Sequence, residues 1–334
     1  ESNVGGTAGQ NYDVFVAKND YSSLFSTINF FSGNNTFGSL AHPNLGDFGN
    51  LANTAYNSAA DDAISATAVE SGPATSTNTT YSNPGSSMSY LWYYQTLLSR
   101  GYHLGPTIDH DNHNTTFGKT TFSRTAVVSA SLAKADMYNA LRNMHFYATQ
   151  DCDTKVDFSI NTRIMGSIFT DRNAPVIAVN LTDATTSLSG AIIRIMYGVP
   201  GSGVLPVKID SAIGAALSFT HAALQNFNTG YYYADINIGS RRIVTSPIWY
   251  TRVDGTVPVR FGDFSVQKIT AGALLSWRTA QEMNSSYFSV ERSADGVHWT
   301  AIGTVAAAGY SNTSLLYGFT DREPLEGKNF YRIK

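Results

Sequence analysis

Charge is scarce in this sequence: Lys, Arg, Asp and Glu make up 14% of its 334 residues, against about a quarter of an average soluble chain. The 22 basic and 25 acidic residues leave a formal net charge of −3, so there is no basic surface to neutralise a phosphate backbone, and a general nucleic-acid binder is excluded. Cysteine is nearly absent. Cys152 alone closes no intramolecular disulfide, which leaves the redox compartment open, and its residue type reads as a small buried hydrophobe. No apolar run approaches the roughly 18 residues of a membrane span. What fills the space is Ser, Thr, Asn, Gly and 19 Tyr, the texture of an extracellular β-rich protein, and an aromatic content of 12% drives enough burial to exclude disorder. The length suits two or three domains with real cores rather than a stapled mini-protein. The chain opens at Glu1-Ser2-Asn3 with neither Met nor signal peptide and stops inside the alternation Phe330-Tyr331-Arg332-Ile333-Lys334. It therefore reads as a piece of a longer, secreted or cell-surface polypeptide.

The two halves differ. Residues 1–150 hold 6 basic and 10 acidic residues and five of the seven histidines. Helical patterns are confined to that half. Asp20 suits an N-cap for a segment with Leu24, Phe25, Ile28 and Phe31 on one face. A second helix over 87–100 carries Leu91, Tyr94, Leu97 and Leu98, with Gly101 placed for a left-handed cap. A third begins at Ser131 and breaks near Tyr147. Strand-like runs at 37–41, 63–69 and 102–108 alternate with these helices, which predicts an α/β layer or barrel. Beyond about residue 153 the pattern turns to period two, at 155–160, 176–181, 191–197 and 231–238, predicting a β-sandwich over 154–252. Asp254-Gly255 and Val257-Pro258 read as a linker. A second all-β unit follows over 258–334, with strands at 273–277, 287–292, 298–305, 315–320 and 329–333 and a hairpin turn at Asp295-Gly296.

Residue types that ligate metals gather in the acidic half: Glu1, His42 in Ala41-His42-Pro43-Asn44, Glu70, and Asp109, His110, Asp111 and His113 in one short stretch. Asp-x-His sets a carboxylate and an imidazole two residues apart, so on an extended strand end both face the same way. His42, Glu70 and Asp111/His113 each follow a predicted strand, with separations of about 28 and 41 residues, one βα unit per step, and the C-terminal ends of such strands converge on one face. His42, Glu70, Asp111 and His113 are the candidate metal ligands. His103, Asp109 and His110 are candidates for a supporting shell of hydrogen bonds. His145, His221 and His298 read as structural.

Ala41-His42-Pro43-Asn44, Glu70, the stretch from Gly105 to His113 and the helix end Ala140-Leu141-Arg142-Asn143-Met144-His145-Phe146-Tyr147-Ala148-Thr149 together resemble the PHP (polymerase and histidinol phosphatase) metal hydrolases, in particular their secreted CehA/McbA-like branch. The resemblance covers most of residues 1–150. It implies that 1–153 is the C-terminal portion of a distorted (β/α)7 barrel followed by two β-sandwich domains, with two or three divalent ions (Mn, Zn or Fe). By that likeness His42 is the His-Pro ligand, Glu70 the following acidic ligand, Asp111 with His113 the closing Asp-x-His, and Glu1 a bridging carboxylate. Two departures stand out. The family's opening His-x-His is absent, and a Gly-His element is matched by Gly9-Gln10-Asn11, so Gln10 stands at a ligand position. Residues 156–250 resemble the β-sandwich appended to such hydrolases. The last unit, with Leu275-Ser276-Trp277-Arg278 and Phe288-Ser289-Val290-Glu291-Arg292, resembles fibronectin type III-like modules of Bacteroidetes type IX secretion cargo.

The function these resemblances imply is divalent-metal-dependent hydrolysis of a small-molecule phosphoester outside the cell, by a chain that meets the secretion machinery through a tail beyond Lys334. This piece by itself is expected to be nearly inactive, because without His-x-His one cation loses two ligands. The alternative is a secreted adhesin or glycan-binding protein with a degenerate hydrolase domain, in which Tyr231-Tyr232-Tyr233, Trp249 and Trp299 serve as aromatic platforms rather than as core. A Ser or Cys hydrolase is poorly supported, since no Gly-x-Ser-x-Gly elbow occurs.

Overall fold

The computed structural model describes residues 16–17, 19–31, 36–81, 87–116, 118–253, 259–283 and 285–334. Glu1, Gln10 and the 254–258 linker lie outside them. The chain divides into two compact units, Glu1–Val253 and Asp254–Lys334. No helix among the described residues is long and apolar enough to cross a membrane.

The first unit opens with α1 (Tyr21–Phe30), β1 (Gly38–Leu40), a short α2 (Asp47–Asn50), α3 (Ser58–Ala63), β2 (Ile64–Ser71), α4 (Leu91–Arg100) and β3 (Gly105–Asp109). Local chemistry sets the helix ends. Asp20 accepts the Ser23 N–H at 3.1 Å and caps α1. Gly101, at φ +104°, closes α4 with its N–H on the carbonyls of Leu97 and Leu98. β1, β2 and β3 pair in parallel in that order. β2 is buried from Ile64 to Glu70, as expected of a central parallel strand covered on both faces.

The parallel pattern then stops. β4 (Arg124–Val127), α5 (Lys134–Arg142) and β5 (Phe146–Thr149) come next, and β4 pairs β5 antiparallel. The expected (β/α)7 barrel portion is thus corrected: among the described residues the parallel sheet has three strands and no barrel closes. The reason lies at the edge of β3. The Thr125 hydroxyl accepts the Ile108 N–H and donates to the Ile108 carbonyl, both at 2.9 Å, so a side chain occupies main-chain groups that a fourth parallel strand would use. Gly105 lets β3 approach β5 closely, since a Cβ there would lie 2.2 Å from Ser246 Oγ and 2.7 Å from the Phe146 ring.

The remaining strands of this unit are β6 (Lys155–Ile160), β7 (Arg163–Ile164), β8 (Ile168–Asp171), β9 (Val176–Thr182), β10 (Ile192–Gly198), β11 (Val207–Ile213), β12 (Ala216–Thr220), β13 (Thr229–Ile238), β14 (Arg241–Thr245) and β15 (Ile248–Arg252). One sheet runs β11-β10-β13-β14-β5-β4, with β15 pairing β13 and β8; the other runs β12-β9-β6-β7. The sheet therefore crosses residue 153. Alternate residues of β13 serve two cores. Tyr231 and Tyr233 join Phe25, Leu97, Leu98 and Phe146, while Tyr232, Ala234 and Ile236 join Phe158, Val179 and Ile193 between the two sheets.

The second unit comprises β16 (Val259–Ile269), β17 (Gly272–Met283), β18 (Tyr287–Ser293), β19 (Thr300–Ala306), β20 (Tyr310–Ser311), β21 (Leu315–Asp321) and β22 (Phe330–Ile333). β17 pairs with β16, β20 and β21, and β18 lies between β19 and β22. Trp277 stacks on Tyr317 and meets Phe288 edge-on, with centroids 5.8 and 5.6 Å apart. Beside them the fully buried Glu282 carboxylate accepts from Thr279 Oγ1 (2.7 Å), Ser285 Oγ (2.9 Å), Tyr317 OH (2.5 Å) and the Ala308 N–H (2.9 Å). These donors hold its pKa below the ordinary carboxylate value against the opposing effect of burial.

Two outcomes follow. Gly105→Ala is expected to destabilise the first unit by about 1–3 kcal/mol through overpacking against Ser246 and Phe146, read as a lower thermal midpoint. In the second unit Glu282 contributes stability that is present above its unfolded pKa of about 4.3 and is lost as pH falls through the lower folded value. Glu282→Gln is expected to flatten that acid limb in melts recorded from pH 6 downward to about pH 2, and an unchanged limb would show that Glu282 does not carry it.

Candidate functional site

Parallel pairing aligns the strand ends that carry the predicted ligands: Leu40 lies opposite Thr67, and Ser71 opposite Asp109. Immediately past β1, His42 is exposed in a left-handed backbone (φ +31°), followed by a buried Pro43 and a turn in which Asp47 accepts the Asn44 N–H at 2.8 Å. At the end of β3, Asp109 Oδ1 accepts from Ser71 Oγ at 2.6 Å and from the Asp111 N–H at 3.0 Å. Burial raises the Asp109 pKa and the charge of Asp111 adds to this, whereas the Ser71 and Asp111 hydrogen bonds and a nearby His42 oppose it. Asp111 sits at φ +46°. His113 Nδ1 lies 2.5 Å from the Asp111 carbonyl and 3.9 Å from its carboxylate, with its ring 65% exposed.

The loops after β2 and β3 are tied together. The His113 N–H donates to the Ala74 carbonyl at 2.9 Å and Asn114 Nδ2 to the Ser76 carbonyl at 3.2 Å. His110 Nε2 donates to the Ser123 carbonyl at 2.9 Å, which fixes its tautomer. His42, Asp109, Asp111 and His113 therefore share one edge of the sheet, at the C-terminal ends of β1 and β3, where parallel sheets offer their binding crevices.

Glu70 is set back from that edge. It is 1% exposed and accepts from Ser123 Oγ at 2.9 Å and Gln150 Nε2 at 2.6 Å. Gln150 is itself clamped to the main chain of Arg242 by two bonds of 3.0 Å. The Glu70 carboxylate thus joins the parallel sheet to the long antiparallel one. His103 belongs elsewhere. It precedes β3, six residues or about 20 Å of extended chain from Asp109, with Nδ1 2.8 Å from Asp61 and its ring 4.8 Å from Trp249.

The donors at the edge are carboxylate oxygens and imidazole nitrogens, the right kind for Mn, Zn or Fe. Among the described residues no three of these predicted donors lie within 4.8 Å of one another. The one such triple is Asp151, Cys152 and Asp153. Cys152 is exposed, which corrects the expectation of a buried hydrophobe. Asp151 there is already committed, to an ion pair with Arg241 and to the Asp153 N–H at 3.2 Å, and Asp153 accepts from Thr185 Oγ1 at 2.8 Å. Ser123 and Gln150, which hold Glu70, carry no signal in the sequence, because they lie 53 and 80 residues from it. The aromatic platform of the adhesin alternative is corrected as well: Tyr231, Tyr232, Tyr233 and Trp249 are 0–1% exposed and are core, and the Trp299 ring is capped by the Arg332 guanidinium at 4.3 Å.

No family model matches the chain, and no curated protein matches it. Among solved structures it is similar to the chicken interferon gamma receptor alpha chain, at 10% identity and a TM-score of 0.19, covering 52% of this chain and 87% of that one. It is similar also to red sea bream transglutaminase, at 9% identity and a TM-score of 0.21, covering 72% of this chain and 39% of the enzyme. Likeness at these TM-scores assigns neither fold nor function.

Proposed function

We propose that this chain is a secreted or cell-surface hydrolase that acts on a small-molecule phosphoester with the help of divalent metal, at the edge formed by His42, Asp109, Asp111 and His113. The observation that carries the reading is the parallel register, which sets the ends of β1 and β3 at the same end of the sheet on either side of β2, near enough for the exposed His42 imidazole to act on the Asp109 carboxylate. His42, Asp111 and His113 are the residues that would hold a cation. A bound Mn, Zn or Fe ion would supply a water of lowered pKa and neutralise charge on the ester oxygen.

The chain's own groups do the rest. Asp109 grips the Ser71 hydroxyl and the Asp111 N–H and so fixes the backbone from which Asp111 and His113 project. Glu70 acts as a positioning residue: it holds Ser123, whose carbonyl in turn holds His110. With at most two of these donors close together, a cation is expected to bind weakly and hydrolysis to be slow.

The test is metal dependence in the folded chain. Supplied with millimolar Mn²⁺ or Zn²⁺, it is expected to hydrolyse p-nitrophenyl phosphate or its diesters above the chelator-treated control. Asp111→Ala with His113→Ala is expected to lower that slow rate to the chelator-treated background while the thermal midpoint stays within about 4 °C. Full activity in the folded double variant, or in metal-free protein, overturns the reading. No metal-dependent hydrolysis together with saturable glycan binding would transfer the function to the adhesin alternative.

A further inference from the structure

The segment between β12 and β13, residues 221–228, crosses from one sheet of the first unit's sandwich to the other and is tied down at both ends. At its start the His221 N–H donates to the Pro175 carbonyl at 3.0 Å. The His221 imidazole enters a cage of Tyr197, Tyr232 and Phe219, with ring centroids 4.9, 5.8 and 6.1 Å away, and its Nδ1 lies 2.9 Å from the Tyr232 hydroxyl. Leu224, 3% exposed, plugs the core between the sheets. At the far end the Phe227 N–H donates to the Arg252 carbonyl at 2.6 Å, and the Arg252 N–H to that of Asn228 at 3.0 Å.

Closure carries two local conflicts. Arg252 Nη1 donates to the carbonyls of Ala222 (3.2 Å) and Leu224 (2.6 Å), but its buried Nε has no acceptor among the described residues. Phe227 sits at φ +66°, in the left-handed region where a Cβ crowds its own backbone. Opening relieves both. His221 is the sole titratable residue of the segment. Facing it are Tyr197 of β10 and Tyr232 of β13, whose hydroxyls burial keeps un-ionised, and the apolar Phe219 of β12. The charge that binds the segment, Arg252 of β15, has the same sign as an imidazolium. In the loop that lends the Pro175 carbonyl, Arg172 is a second cation, and the Asp171 carboxylate is engaged by Asn161 Nδ2 at 2.9 Å and by the N–H groups of Arg172 and Asn173 at 2.6 and 3.2 Å. Burial lowers the His221 pKa.

We propose that residues 221–228 form a strap that is closed at neutral pH and opens in acid, with proton uptake by His221 in its aromatic cage as the trigger. The sign follows from linkage. While the imidazole is neutral in both forms, pH does not bias them. As pH falls below the solvated histidine value of about 6.5, the open strap takes up a proton that the closed one resists, and the closed form loses stability until pH has passed the lower value that burial imposes. An imidazolium donates from both nitrogens, and the cage offers it hydroxyls and rings rather than a carboxylate. Opening lifts Leu224 from between the sheets and uncovers Tyr197 and Tyr232. This inference does not depend on the hydrolase reading.

The test is hydrogen exchange of the 334-residue chain at about pH 7.5 and about pH 5, read by mass spectrometry and corrected for the intrinsic pH dependence of amide exchange. Peptides covering 221–228 are expected to lose protection at least about threefold at the lower pH, while those covering 231–238 in β13 keep theirs. His221→Phe fills the cage without a titratable group, and its protection over 221–228 is expected to agree within about 1.5-fold between the two pH values. An NMR titration of the His221 ring in the unaltered chain needs no variant to fold, and a midpoint below about 6.5 is expected. Unchanged protection of 221–228 in the unaltered chain, the same acid response in folded His221→Phe, an equal loss across β13, or a ring midpoint at or above about 6.5 each overturns the proposal.

Discussion

Tyr231 and Tyr233 leave one face of β13 and Tyr232 leaves the other, and the first unit is built around the fact that both faces are dry. A strand buried on one side shows period-two alternation, but β13 is buried from Gly230 through Asn237's neighbours with only Thr229 and Asn237 partly open. Each tyrosine hydroxyl in such a place needs a partner or a tight apolar seat. Gln95 of α4 donates to the Tyr233 hydroxyl at 2.8 Å, and His221 lies 2.9 Å from that of Tyr232. Tyr94, also of α4, reaches the carbonyl of Thr245 on β14 at 3.2 Å. The helix that returns from β2 to β3 is thereby fastened to strands about 140 residues later in the chain, and the layer of helices and parallel strands has the long antiparallel sheet as its floor.

This arrangement explains which parts of the fold were legible. The stripe Leu91, Tyr94, Leu97, Leu98 and the glycine after it identify α4 because amphipathic period and cap agree with the tertiary environment. The period-two runs identify β6, β9 and β10 for the same reason. Alternation of strands and helices up to Arg142 predicts an α/β layer or barrel, the family resemblance implies the barrel, and the alternation holds for β1 to β3. What stops it is one hydroxyl, Thr125, together with a close approach at Gly105, and neither differs in composition from an ordinary strand residue. β16 has no counterpart in the sequence reading: its alternation, Val259 with Phe261 and Phe264 with Val266, is broken by Gly262-Asp263, where its register with β17 slips.

The candidate edge was legible in placement and not in geometry. A histidine or acid after each strand-like run is a local feature of sequence, and parallel pairing converts it into proximity for His42 and Asp109. Whether side chains converge depends on loop conformation, here on left-handed backbone at His42 and Asp111, which nothing in the residue types demands. The position of Glu70 predicts a ligand; its carboxylate accepts from Gln150, just past β5, and from Ser123, just before β4, and so ties the two sheets together.

The shared wall at β13 has a consequence for the order in which the chain is made. The core beneath α1, α3 and α4 takes Tyr231, Tyr233, Val244 and Trp249 as members alongside residues as early as Phe25 and Leu40. Until the segment around residue 250 has followed, the helices and short strands before residue 150 have no floor on which to bury their apolar faces, and they carry the long loop-closure cost of contacts spanning about two hundred positions. This core is complete only once the segment from Tyr231 to Trp249 is in place.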